Sequence, residues 1–470
     1  MTKKMIKTLS IFSLAMINVA ALGGVKNWPL TAEYGLSSIF FYALAALIFF
    51  IPVAFVAAEL ATGWPEAGGI FVWVKEAFGH RTGFLAIWLL WFENVIWYPT
   101  ILSFIAVTIA YIFNPALMEN KTYLVVMILA IFWATTLVNL RGIRTSSLIS
   151  SIGAIAGTFL PGAIIILLGI VWMCSGRPTE IAFTWKGFIP NMTSFSQVVF
   201  FTGVLLSLAG LEMSAIHAKD VKNPQKDYPR AIALSVFLIL TISILGVLSI
   251  ASVIPKGEIS LVAGSLQAFA FMLEGFGLQK LMPFMAFTIA VGVIGSLSTW
   301  TLGPSRGLAV AARDGDLPPF FRKLNKHNMP VNLMILQAII VSFLSLIFLF
   351  VPSINTAYWI LIVLTTQMYL VIYILMFAAA LRLRYTRSQV KRAYRIPLKN
   401  VGIWIVCSIG ITSSVLAIII GFLPPLEFHT VHTGRYAIGM ILALAFFCLI
   451  PSIILLFQKP YWKHKLKHEE

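Results

Sequence analysis

Charge is what this 470-residue sequence has least of. Aspartate, glutamate, lysine and arginine together make up 11% of it, against roughly 25% in soluble domains, which excludes an ordinary water-soluble fold. Acidic residues are the scarcer sign, 17 against 34 basic ones, so an acid inside an apolar run needs a reason. Cysteine is nearly absent. Cys174, Cys407 and Cys448 stand far apart, in or beside apolar runs, and form neither a disulfide framework nor a metal site. No glycine-rich phosphate loop is present, so direct ATP drive is not expected. Convergent His, Asp or Glu residues with a nucleophile are also missing. His217 and His327 are isolated. No enzyme activity, cofactor or metal is therefore expected.

What is present is hydrophobicity, 59% of residues with a mean hydropathy of +0.92, in runs long enough to cross a bilayer, which takes about 20 apolar residues. Twelve candidate spans emerge, at 9–30, 38–60, 83–113, 122–140, 148–174, 196–218, 230–254, 280–303, 332–351, 357–381, 401–423 and 436–457. The chain reads as an all-α polytopic membrane protein. Lys3, Lys4 and Lys7 before the first apolar run imitate a signal peptide, but a helix hairpin follows at once, as it does after a retained first span. With twelve spans both termini share one side. Of the 34 Lys and Arg, 27 fall on that side and seven on the other. The positive-inside rule makes it cytoplasmic. The formal charge of +17 is mostly this topology signal, and no soluble basic face is visible that would suit nucleic acid. Sequons occur at Asn120 and Asn191, on the expected outside.

Charge within the bilayer is costly and marks function. Glu93 lies mid-span in "LLWFENVIWYP", among Trp91, Phe92, Trp97 and Tyr98; Glu212 lies in "LSLAGLEMSA"; Glu59 ends the second span. Each reads either as a buried structural acid or as a gating or proton-linked group, and Glu93 also as a pocket wall.

Two spans are interrupted. The first carries Gly23-Gly24 within "NVAALGGVKNWP", although a helical glycine costs about 1 kcal/mol relative to alanine. The sixth carries "SLAGLE", Ser207 to Glu212. Glycine pairs also mark tight helix packing, and that reading stays open for Gly23-Gly24. Interruptions at corresponding places of two halves point instead to a transport site. Unwound backbone is tolerated at mid-membrane only where it lines a cavity. Its freed N–H groups seat a carboxylate, and its freed carbonyls accept from an ammonium. An α-amino acid carries both. On this reading Gly24→Val abolishes binding while leaving insertion intact.

The motifs "PVAFVAAELAT" with "GGIFVWV" (52–74), "GLEMSAIHAKDVKNPQKDYPRA" (210–231) and "STWTLGPSRG" (298–307) give the sequence its likeness. It resembles the amino acid–polyamine–organocation (APC) superfamily of transporters, and most of all its bacterial glutamate/γ-aminobutyrate antiporter branch, over residues 8–457. The resemblance implies a LeuT-like five-plus-five inverted repeat with helices 1 and 6 unwound and two helices appended. The segments would be a terminus at 1–8, repeats at 9–174 and 196–381, appended helices at 401–457 and a tail at 458–470, both termini cytoplasmic in a bacterial inner membrane. It also implies a secondary active amino acid antiporter working by alternating access. The alternatives are a proton- or sodium-coupled symporter or a transporter-like sensor. Partners would be an amino acid substrate and membrane lipid, in a monomer or homodimer.

Site residues follow from matching positions. Ala21, Leu22, Gly23 and Gly24 match the unwound first helix that receives the substrate carboxylate. Ser207, Ala209 and Gly210 match the unwound sixth helix that receives the amino group. Glu212 matches a glutamate that holds the sixth-helix break and has been tied to gating, and Trp300 matches an aromatic residue at the site's border, or else packs as core. Ser150 and Ser151 stand where several relatives place a lysine near the first helix. Ser296, Ser298 and Thr299 offer hydroxyls for sodium, or bond back to their own helix. Glu93 departs from the pattern. Like charges in a low dielectric repel by several kcal/mol, so an anionic substrate requires that Glu93 be protonated or face elsewhere; otherwise the substrate is neutral or cationic.

Among the connections, 62–82 and 311–331 read as similar interfacial or re-entrant helices. The basic loop 382–397 reads as topology signal or headgroup contact, and 255–279 as an amphipathic cover on the outside.

Overall fold

The computed structural model describes residues 10–65, 69–142, 157, 159–190, 195–217, 223–425 and 432–463. Ser150, Ser151 and the sequon at Asn191 lie outside them, as does the side chain of Thr299. The described residues form helices and connections. The sole ladder contact among them is an isolated bridge between Leu324 and Pro330.

The helices in chain order are α1 (Ile11–Leu22), α2 (Gly35–Gly63), α3 (Ile70–Phe78), α4 (His80–Phe113), α5 (Lys121–Asn139), α6 (Leu160–Cys174), α7 (Phe195–Ser207), α8 (Pro224–Ala251), α9 (Gly264–Gly275), α10 (Met282–Asp314), α11 (Val331–Phe350), α12 (Ile354–Thr386), α13 (Lys399–Ile420) and α14 (Thr433–Leu456). Nine of them, α2, α4, α5, α8 and α10–α14, are long and apolar enough to cross a membrane; shorter apolar helices at Ile11–Leu22, Leu160–Cys174 and Val198–Ser214 occupy the places of the first, fifth and sixth expected spans. The chain is thus a multi-pass membrane protein. α4 sits at the centre, its apolar window 83% buried, and α14 at the rim, 11% buried.

Two faces of the bundle are fixed by polar contacts. On one, Lys75 pairs with Asp314 at 3.0 Å, His80 Nε2 meets Asp316 Oδ1 at 2.6 Å, and the Gln458 amide donates to the Gly315 carbonyl at 2.7 Å. α3, the start of α4, the end of α10 and the C-terminal segment meet here. On the other, Lys121 donates to the Val351 carbonyl at 2.6 Å and Gly257 N–H donates to Glu33 at 3.0 Å.

Glu59 closes the first face at the end of α2. Its carboxylate pairs with Arg384 at 2.9 Å and Arg392 at 3.5 Å and accepts the Ile396 N–H at 2.9 Å. Arg384 and Arg392 are buried, so part of the basic loop folds into the protein. Of the two connections expected to be alike, 62–82 contains α3. The other, 311–331, begins with the last turn of α10 and then holds only a short turn of 3₁₀ helix at Pro319–Arg322 before α11, because left-handed Gly315 ends α10 and Pro318-Pro319 lack the N–H groups a longer helix needs.

Inside a membrane, helices associate by close packing and hydrogen bonds rather than by expulsion of water. α1 and its continuation show both. The Asn18 amide donates to Ser235 Oγ on α8 at 2.8 Å. The fully buried Trp28 ring lies against Gly246 of α8, where an added Cβ would meet it at 2.4 Å.

Candidate functional site

α1 stops at Leu22. Gly23 and Gly24 leave the helix, Val25–Asn27 make a 3₁₀ turn, and Pro29–Ala32 resume the helix with proline in its first turn, where its missing N–H costs nothing. The Asn27 amide donates to the freed Leu22 carbonyl at 3.0 Å, and Ser265 Oγ donates to the Val25 carbonyl at 2.5 Å. Freed backbone is thus partly met by side chains, as a buried break requires.

α7 stops at Ser207, and a 3₁₀ helix resumes at Leu211–His217. Between them Gly210 takes φ +113°, a conformation L side chains rarely adopt, and a Cβ there would stand 3.3 Å from both Leu22 and Trp300. Its N–H donates to the Tyr373 hydroxyl at 2.7 Å, which in turn donates to Glu212 Oε2 at 2.6 Å; Tyr369 donates to Glu212 Oε1 at 2.7 Å. Glu212, 2% exposed, is therefore tied to the break through Tyr373, with Tyr369 as a second donor from α12.

The two breaks meet at a cavity of about 790 Å³, counting its open mouth. Ala21, Leu22, Lys26 and Asn27 line it from the first break, Gly203, Leu206, Ser207 and Ala209 from the second. α4 contributes Glu93, Asn94, Trp97 and Thr100, α10 contributes Trp300, and α12 contributes Tyr358, Ile362, Thr365 and Tyr369. The ion pairs of Glu59 and Lys75 and the His80–Asp316 contact lie apart from these residues, on the terminal face, the one that carries the C-terminal segment.

Ionisable side chains of both kinds line the cavity. Lys26 carries its ammonium 4.0 Å over the Trp97 ring, a cation–π contact. Glu93, 3% exposed, accepts a hydrogen bond from Asn94, whose amide also donates to the Leu90 carbonyl at 2.9 Å. Thr365 Oγ1 finds no hydrogen-bond partner among the described residues and so is available to a ligand. Trp300 meets Trp97 edge-on at 5.9 Å, and its carbonyl accepts from Tyr98 at 2.9 Å. Pro304, one helical turn on, has no N–H to offer that carbonyl.

Of the residues expected from sequence, Ala21, Leu22, Glu93, Ser207, Ala209 and Trp300 come together on this wall. Gly23, Gly24 and Gly210 stand behind it in the two breaks, and Glu212 is one hydroxyl removed. Glu59 lies apart, on the terminal face. The Ser207 hydroxyl donates to its own helix at Val204, and Ser298 donates to Asn139 at 2.6 Å. Lys26, Tyr369 and Tyr373 are not among the residues expected from sequence. The α12 tyrosines carry one available signal, a four-residue spacing that puts both on one helix face.

A family model described as amino acid permease matches residues 6–448. An uncharacterized transporter of Legionella pneumophila is 43% identical over 99% of this chain and 98% of its own length. A glutamate/gamma-aminobutyrate antiporter of Lactococcus lactis subsp. lactis is 34% identical over 95% and 90%. A probable agmatine/putrescine antiporter of the same organism is 24% identical over 82% of each chain.

Proposed function

The chain belongs to the amino acid permease family of transporters, and from that premise we propose that it is a secondary active amino acid antiporter of the glutamate/γ-aminobutyrate exchanger type. The observation that carries this reading is the cavity formed where both broken helices meet. We assign the substrate carboxylate to the backbone of the first break, Ala21 to Gly24, and the amino group to the second, Ser207 to Gly210. Glu212 positions the second break, and the Glu59 cluster serves as part of the closure on the terminal face. Alternating access then moves the opening between the two faces. We further take the chain to cross a bacterial plasma membrane twelve times with cytoplasmic termini, as two inverted repeats, 9–174 and 196–381, with 401–457 appended.

The charges support an exchanger of this type. Lys26 can face a side-chain carboxylate in a space too dry to leave that charge unpaired. Glu93 on the same wall opposes it unless a proton neutralises one of the two. A substrate with one more negative charge than its counter-substrate would therefore bring a proton to Glu93. Glutamate and γ-aminobutyrate, the pair for which the 34% identical Lactococcus lactis antiporter is named, differ in this way.

Counterflow in proteoliposomes tests the reading. Preloading with unlabelled glutamate or γ-aminobutyrate should accelerate uptake of labelled glutamate, and Lys26→Met should raise the glutamate KM by about tenfold, the scale of one charge-assisted contact. Glu93→Gln should flatten the pH profile. Absence of uptake of any amino acid would overturn the transporter reading in favour of a sensor, and uptake without acceleration would favour a symporter.

A further inference from the structure

On the terminal face, outside the transport path, the turn between α12 and α13 encloses an open depression of about 1500 Å³, lined by Arg384, Arg392, Arg395 and Lys399 with Tyr385 and Leu398. Four cations surround it. The acid in contact with them, Glu59, is already engaged by Arg384 and Arg392 at 2.9 and 3.5 Å. Arg395 and Lys399 are exposed, and their charges are left for something else. The turn is built to present them. Leu398 and Lys399 both take positive φ, +62° and +55°, and Gly402 fits against the Pro397 carbonyl, where a Cβ would stand 1.7 Å away. α13 therefore starts abruptly at Lys399, with its first backbone N–H groups beside the depression.

The surroundings identify the medium. Trp404 donates to the Tyr385 hydroxyl at 2.9 Å, and both rings are about half exposed. Such amphipathic aromatics sit where hydrocarbon meets headgroups. From Val401 at the edge of the depression, α13 goes on to expose Ile405, Leu416 and Ile419, an apolar strip that continues away from it. Cations at the head of an uncovered apolar strip match a molecule with a phosphate at one end and acyl chains at the other. A second copy docking here about a two-fold axis would set the same four cations against themselves.

We propose that this depression binds the phosphate headgroup of an anionic phospholipid, with its acyl chains along α13. Native mass spectrometry of the full chain in detergent tests it, using dioleoyl phosphatidylglycerol, dioleoyl phosphatidylcholine and inorganic phosphate as probes. The wild type should retain one phosphatidylglycerol under activation that strips phosphatidylcholine. The R395Q/K399Q double variant should bind that lipid about thirtyfold more weakly, the scale of two interfacial cations, with its melting temperature in lipid-free detergent unchanged. The charge-preserving R395K/K399R pair should keep the lipid. Equal retention by R395Q/K399Q, or equal retention of phosphatidylcholine, overturns the proposal. Displacement of the lipid by millimolar inorganic phosphate makes this a free-phosphate site, and a dimer that excludes the lipid gives the face to a second copy; either result also overturns it.

Discussion

Tyr373 and Glu212 hold each other across the break that follows α7. The tyrosine hydroxyl donates to the carboxylate at 2.6 Å while accepting the N–H of Gly210 at 2.7 Å. Tyr369 makes the carboxylate contact alone, at 2.7 Å. The two tyrosines therefore differ in what their loss exposes.

Tyr373→Phe strands a backbone N–H and a carboxylate oxygen together, and an unsatisfied buried group costs about 1–3 kcal/mol. Tyr369→Phe strands one oxygen. Melting temperature in detergent should fall further for Tyr373→Phe, and exchange should fall with it. Equal losses would show that the Gly210 contact contributes nothing.

The glycines separate in the same way. Gly210→Ala forces a side chain into a positive-φ position with Leu22 and Trp300 at 3.3 Å, at a cost of about 1–3 kcal/mol, and should lower exchange at least tenfold. Gly24 has an ordinary φ of −74° and nothing nearer to an added Cβ than Lys26 Cγ at 3.9 Å, so Gly24→Ala should fold and melt as the wild type does. Thermal melts of the two variants, read beside their substrate affinities, check both statements.

Glu59→Gln removes the counter-charge of buried Arg384 and Arg392. Breaking a buried pair from one side costs about 3–5 kcal/mol, so this variant should lose several degrees of melting temperature. An exposed control, Glu76→Gln, loses only its 3.6 Å contact to Arg387 and should lose almost nothing.

Asp316 predicts a pH dependence. Burial holds its carboxyl above the ordinary 3.8, with His80 opposing the shift. The native state then binds this proton more tightly than the unfolded chain does. The stability from that proton is fully present below pH 3.8 and is lost as pH rises through the native pKa, about 1.4 kcal/mol for each unit of separation. The amide of an Asp316→Asn variant does not titrate. The stability of wild type minus variant should therefore decline as pH climbs from about 4 toward neutrality, as melts across that range would record. A constant difference would contradict the shift.

The sequence carries the architecture because apolar run length is a direct consequence of bilayer thickness, and it carries both breaks because Gly23-Gly24 and Gly210 are local signals. It does not carry partners. Glu212 finds Tyr369 and Tyr373 more than 150 residues downstream, and Glu59 finds Arg384 and the Ile396 N–H across more than 300. The basic loop looks like topology signal until packing buries Arg384 and Arg392. Nothing local says that the 3₁₀ turn at Val25–Asn27 sets Lys26 over Trp97.

The first helix is broken at Gly23-Gly24, yet both pieces are fastened to one rod. Asn18 is tied to Ser235 and Trp28 is seated on Gly246, two points about three turns apart on α8. α8 thus acts as a splint across a fracture. The two pieces cannot fold about the glycines without shearing one of those attachments, so they should travel with α8 as a single lever. The glycines then serve as a window in the backbone rather than as a hinge.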